Sequence, residues 1–126
     1  MKFIHTDGAP KPAGHYSQAT VYGGVVYVAG MLGIDPADPD ADKGDAAQQA
    51  RQALKNVAAV LDAAGSDLDR VVRMEIFVSD VELWGPVNDV YTEVMGDHKP
   101  ARAIVPVKSF RDPFVLEIVA TAALGG

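Results

Sequence analysis

The chain of 126 residues contains no cysteine. Disulfides, thiolate nucleophiles and cysteine-ligated metal sites are therefore excluded. Basic charge is also scarce: 11 Lys and Arg stand against 17 Asp and Glu, a formal net charge of −6. A nucleic-acid binder carries a basic stripe, and here the cations are scattered. The acidity reads as solubility. No apolar run approaches the ~18 residues that a membrane span needs. The N-terminus, Met1-Lys2-Phe3-Ile4-His5, lacks the long apolar stretch of a secretory signal. A cytoplasmic protein is expected.

Several familiar motifs are absent as well. His5, His15 and His98 share no metal-ligand spacing. Gly30-Met31-Leu32-Gly33 lacks both the lysine of a P-loop and the second half of a dinucleotide fingerprint. Ser17 has no His and Asp partners in a recognisable signature. Asp38, Asp40 and Asp42 alternate as in a calcium loop. Lys43, however, stands where the sharp-turn glycine belongs and Gln49 where the bidentate glutamate belongs. That segment reads as a solvated loop, and no metal is expected.

What is present fits one domain, 1–126, long enough to bury a core of its own. Lys2 to His5 predicts a short strand, and Gly8 to Gly14, with prolines at 10 and 12, an extended loop. Ser17–Tyr22 and Val25–Ala29 read as two strands around the Gly23-Gly24 turn. A helix is expected from about Asp45 to Ala64. Asp45 and Gln48 would form its capping box, Ala50, Leu54, Val57 and Leu61 its inner face, and Gly65 its C′ residue. Val72, Met74, Ile76 and Val78 alternate with Val71, Arg73, Glu75 and Phe77 as a half-buried strand. Ser79 and Glu82 resemble a second capping box, but Gly85-Pro86 makes Pro86 the expected start of the second helix, which runs to about Met95. Trp84 reads as packing beside that start. Two further strands give the order β-β-β-α-β-α-β-β, an α+β fold with two helices on one face of a single antiparallel or mixed sheet. The other face would be uncovered, which argues for an oligomer.

The last two strands carry the chemistry. Arg102 lies in Pro100-Ala101-Arg102-Ala103-Ile104-Val105, and Glu117 in Phe114-Val115-Leu116-Glu117-Ile118-Val119. Each is the one charge in its apolar run, and removing a charge from water is costly unless it is paired or used. Two readings stay open. The pair forms a buried salt bridge, or Arg102 grips a carboxylate through two parallel hydrogen bonds while Glu117 moves a proton. In a hairpin, an even-length loop would put both on one face, but the turn from Lys108 to Pro113 does not fix that length. Tyr16, at the end of the rigid loop, could project a phenol into a cleft. Asn88, polar among the inward positions of the second helix, either serves a site or bonds nearby backbone.

Taken together, the chain resembles the Rid family of reactive intermediate deaminases (YjgF or RutC-like proteins). The resemblance rests on Gly14-His15-Tyr16-Ser17-Gln18-Ala19, Val25-Val26-Tyr27-Val28-Ala29-Gly30, Ala47 to Val57, Val87-Asn88-Asp89-Val90-Tyr91, Pro100-Ala101-Arg102 and Leu116-Glu117-Ile118. It implies a chorismate-mutase-like fold assembled as a homotrimer with ligand clefts between subunits, and hydrolysis of 2-enamino and 2-imino acids to keto acids and ammonia without a cofactor. Arg102 then matches the arginine that binds the substrate carboxylate and Glu117 the acid that positions or activates water. Tyr16 and Asn88, with Ala29, Gly30 and Ile104, match cleft-lining positions. A non-catalytic trimeric binder of small carboxylic acids is the alternative, and a ribonuclease is disfavoured by the charge.

Several residues depart from the family pattern: His15 for proline, Ala29 for serine, Met31 for glutamine, Ile104 for cysteine and Val119 for a second acid. Each removes polarity or adds apolar bulk. The expectation is a cleft suited to a larger or more apolar side chain than that of iminopyruvate.

Overall fold

A helix needs its first N–H groups and last C=O groups satisfied, and the sequence supplies both ends of the longest one. In the computed structural model, which describes residues 1–125, the elements run β1 (Lys2–Ile4), β2 (Ala19–Tyr22), β3 (Val25–Met31), α1 (Ala46–Ala63), β4 (Val71–Val78), α2 (Trp84–Met95), β5 (Ala101–Pro106) and β6 (Leu116–Ala123). Gly126, the last residue of the expected domain, lies outside the described residues. The Asp45 carboxylate accepts the Gln48 N–H at 2.9 Å, and the Gln48 side chain accepts the Asp45 N–H at 2.8 Å. At the far end Gly65 takes φ +84°. Its N–H bonds Asp62 C=O at 3.0 Å while the Ser66 N–H bonds Leu61 C=O at 2.8 Å, a Schellman closure that favours glycine.

The six strands form one mixed sheet in the order β1-β2-β3-β6-β4-β5. β6, last in the chain, lies between β3 and β4 and is antiparallel to both. β5 is an edge strand, parallel to β4 because α2 carries the chain across between them. Val26, Val28, Met74, Ile76, Leu116 and Ile118 bury one sheet face against Ala50, Leu54, Val57 and Leu61 of α1. The opposite face is uncovered and leaves Phe3, Tyr22 and Tyr27 exposed. Among the described residues no helix is long and apolar enough to cross a membrane.

Two elements differ from expectation. In β4 the pairing with β6 shifts between Val71 and Arg73, so Val71 is buried and Val72 is exposed, the reverse of simple alternation. The second helix begins at Trp84, two residues before Pro86. A single 3-10 turn, Val81–Leu83, leads into it, with the Asp80 carboxylate rather than Ser79 accepting the Glu82 N–H at 2.8 Å. Pro86 is tolerated inside the first turn because N–H groups there have no intrahelical partner to lose.

Candidate functional site

Strand register decides where the two charges go. Arg102 pairs with Met74 and Ile104 with Ile76, both core residues, so Arg102 and Ile104 face the helices. Glu117 pairs with Phe77 and sits between the buried Leu116 and Ile118, so it faces the open side of the sheet. The two strands form no hairpin, since β4 lies between them, and the two residues occupy opposite faces. A direct salt bridge between Arg102 and Glu117 within one chain is thereby excluded.

Arg102 is held by one stripe of α2. Its Nη1 donates to Asn88 Oδ1 at 2.7 Å, and its guanidinium carbon lies 4.8 Å from the Tyr91 ring centroid and 5.6 Å from that of Trp84. Asn88 thus serves the arginine rather than nearby backbone. A hydrogen bond to a charged group contributes about 1.5–3 kcal/mol, and each cation–π contact about 0.5–2 kcal/mol. Arg102 is therefore stabilised although no carboxylate pairs with it among the described residues. Burial pushes the Tyr91 phenol above its ordinary pKa, with the Arg102 charge pulling less strongly the other way. The Tyr91 hydroxyl is buried and has no hydrogen-bond partner among the described residues. A cavity of about 420 Å³ adjoins this group, lined by Tyr91, Met95, His98, Lys99 and Arg102 among others.

Glu117 lies in a different setting. The adjacent β3 carries a bulge: Val28 pairs with Ala120 and Met31 with Ile118, so Ala29 and Gly30 together face Val119. The Glu117 carboxyl group rests against Gly30, where an added Cβ would stand 2.6 Å from its Cδ. Only glycine lets the side chain lie there. Glu117 makes no ion pair among the described residues. On the same open side, Tyr16 and Ala29 line a cavity of about 700 Å³ with His15, Phe3 and Tyr27. The Tyr16 hydroxyl accepts the Ala13 N–H at 3.2 Å, which orients the ring across the loop.

The seven site residues thus fall into two groups. Tyr16, Ala29, Gly30 and Glu117 belong to the open face, while Asn88, Arg102 and Ile104 belong to the helix face. Of the altered positions, Val119 shares the open face with Glu117 and His15 lines the larger cavity. Met31 does not follow the expectation. The bulge restores its parity with Ile118 and turns it into the core, 3% exposed, so its bulk fills the interior rather than a cleft.

Three buried amides fix the backbone around these groups, and sequence reasoning gave them no role. Gln49 Nε2 donates to Gly44 and Pro113 carbonyls, and its Oε1 accepts the Val115 N–H at 3.0 Å, two residues before Glu117. Asn56 Nδ2 donates to the Leu32 and Ile34 carbonyls, both at 2.9 Å, just after Gly30. Gln18 binds the Thr6 N–H at 2.7 Å and three carbonyls of the loop before Tyr16. The available signal was a polar residue on an otherwise apolar helix face, which Gln49 and Asn56 both are.

Known proteins resemble the chain along nearly its whole length. The family model described as Endoribonuclease L-PSP matches residues 6–124. A RutC family protein of Pyrococcus horikoshii is 40% identical over 94% of this chain and 94% of its own. The 2-iminobutanoate/2-iminopropanoate deaminase of Rattus norvegicus is 37% identical over 98% of this chain and 90% of its own. The crystal structure of E. coli TdcF with bound serine superposes with a TM-score of 0.91 at 31% identity, covering 98% of each chain.

Proposed function

Because the chain belongs to the YjgF/RutC family, the Rid proteins, we propose that it hydrolyses reactive 2-enamino and 2-imino acids to 2-keto acids and ammonia, in clefts formed between copies of itself. The observation that carries this reading is the placement of Arg102 and Glu117 on opposite faces of one sheet, each without an ionic partner among the described residues. Neither residue can serve the other within a chain, so a site using both draws one from each of two copies. The exposed Phe3, Tyr22 and Tyr27 on the face around Glu117 favour coverage by further copies, and a homotrimer in the cytoplasm is the proposed working form.

The chemistry follows from the groups. Arg102 receives the substrate carboxylate on the guanidinium hydrogens that Asn88 leaves free, which fixes the C=N carbon in space. Glu117 of the neighbouring copy takes a proton from water as the oxygen attacks that carbon, giving a tetrahedral carbinolamine. That proton passes to nitrogen to complete the carbinolamine, the hydroxyl proton then moves to the same nitrogen as C=O forms and the C–N bond breaks, and ammonia and the 2-keto acid leave. One water is consumed and no electrons are exchanged. Ile104 beside Arg102, with Val119 and Ala29 on the Glu117 side, supports acceptance of imines with larger apolar side chains.

TdcF holds serine, an amino acid without an imine, and this favours a second reading: a non-catalytic binder of small carboxylic acids. The ribonuclease sense of the family model's description finds no support in a net charge of −6. The test generates imino acids from a panel of amino acids with an amino-acid oxidase and traps the survivors with semicarbazide. Wild type is compared with Arg102→Ala. Faster loss of imine with wild type, abolished in the variant, is expected, and leucine-derived imine should be consumed at least as well as alanine-derived imine. No acceleration across the panel would overturn the deaminase in favour of the binder.

A further inference from the structure

We propose that Trp84 and Tyr91 are positioning residues for Arg102: their two rings aim the guanidinium without neutralising it, so that its donors stay free for a carboxylate. The use made of that carboxylate rests on the deaminase reading, whereas the stacking itself does not. Trp84, Asn88 and Tyr91 stand at i, i+4 and i+7 of α2, the spacing that brings side chains to one helix face. All three meet Arg102, and no other side chain bonds it among the described residues.

A single hydrogen bond to Asn88 Oδ1 leaves a guanidinium free to swing about that bond. Two aromatic faces 4.8 and 5.6 Å away remove that freedom. A buried carboxylate partner would fix the group equally well, but it would occupy the fork that a substrate must enter. Rings and an amide oxygen hold the cation and leave its remaining N–H groups unclaimed.

The details of the two aromatics agree. Tyr91 is 6% exposed, and its hydroxyl bonds nothing among the described residues, so the ring is the part in use. Trp84 is 44% exposed, too open for its purpose to be core packing, and the Arg102 guanidinium lies over its ring. Sequence reasoning treated Trp84 as packing at a helix start. The contact with Arg102 gives it a different role.

The experiment combines two readouts on Trp84→Leu, Trp84→Phe, Tyr91→Leu and Tyr91→Phe. The first is the NMR position of the Arg102 side-chain Nε–H group in the ligand-free protein. Ring currents should displace it upfield relative to the exposed Arg111. Each Leu variant should lose part of that displacement and each Phe variant should keep it. The second is imine hydrolysis. The Leu variants should lose at least tenfold in kcat/KM, chiefly through KM, and the Phe variants should recover it to within threefold of wild type.

An undisplaced Arg102 signal in wild type would overturn the proposal even if the Leu variants failed to fold. So would Leu variants that keep wild-type kcat/KM, or Phe variants that lose as much as Leu. If wild type hydrolyses no imine, the deaminase reading falls and the resonance measurement alone decides whether the rings position Arg102.

Discussion

The surroundings of Arg102 and Glu117 are built in opposite ways. The arginine is finished within one chain: an amide, two rings and the apolar Ile104 strand surround it on the covered face of the sheet. The glutamate is unfinished: it lies on the uncovered face against a glycine, with no ion-pair partner among the described residues. A cation can be held by neutral rings and dipoles at little cost to its availability. A carboxylate has no such neutral stacking partner, and here its place is set instead by the backbone beneath it. In the proposed function the first half binds and the second half reacts, so the difference in construction follows the difference in task.

Four substitutions would break or sharpen this contrast. The largest effect is expected for Glu117→Gln, which keeps the shape and removes the proton acceptor. Imine turnover should fall by roughly 10²–10⁴, while binding of 2-oxobutanoate, followed by calorimetry, stays near wild type. Loss of binding together with turnover would show that the carboxylate holds the ligand rather than the water.

Gly30→Ala should come next. A methyl group 2.6 Å from the Glu117 carboxyl carbon must push that side chain aside. A misplacement on the order of 1 Å costs about 10²-fold in rate. Binding of 2-oxobutanoate, assigned to Arg102, should fall far less than turnover, and equal losses would contradict the division between a binding half and a reacting half.

Gln49→Leu attacks the glutamate half through its support. It strands the Val115 N–H and two carbonyls. Chemical denaturation should show a loss of about 2 kcal/mol, since unsatisfied buried groups cost about 1–3 kcal/mol each and some will reach water.

The smallest effect is expected for Tyr91→Phe in the arginine half. Removing an unpartnered buried hydroxyl should leave stability at pH 7 unchanged or raise it by up to about 1 kcal/mol. The sign with pH is definite. Burial raises the phenol pKa above its ordinary value of 10.0, so the folded state favours the protonated form. That contribution is complete below the unfolded value and is lost as pH rises through the folded one. Wild type should therefore weaken above about pH 10, and the Phe variant should weaken less. Parallel curves for the two would contradict the burial of the hydroxyl.

The elements were legible wherever local chemistry decides them. The capping box at Asp45 and Gln48 and the glycine at 65 specify α1 to within a residue, because a helix end is a local hydrogen-bonding problem. Arg102 and Glu117 stood out because an isolated charge in an apolar strand is visible in one dimension. Their relation was not visible. It depends on which strand lies between them, and nothing local to β5 or β6 states that α2 returns the chain parallel to β4. The bulge at Ala29-Gly30 was hidden for a similar reason. It is a mismatch between two strands distant in sequence, and it alone decides that Met31 points inward. Trp84 does stand at the start of α2, but its contact with Arg102, 18 residues away and on another element, was not visible.

The position of β6 has a consequence for how the molecule comes into being. The strand at the centre of the sheet is the last of the six to leave the ribosome. Until it emerges, β1–β3 and the β4-α2-β5 unit share no strand pairing, and the inner edges of β3 and β4 stand open to any other strand nearby. Nascent chains of this protein cannot complete their sheet until β6 has emerged. The strand that closes those edges is also the one that carries Glu117.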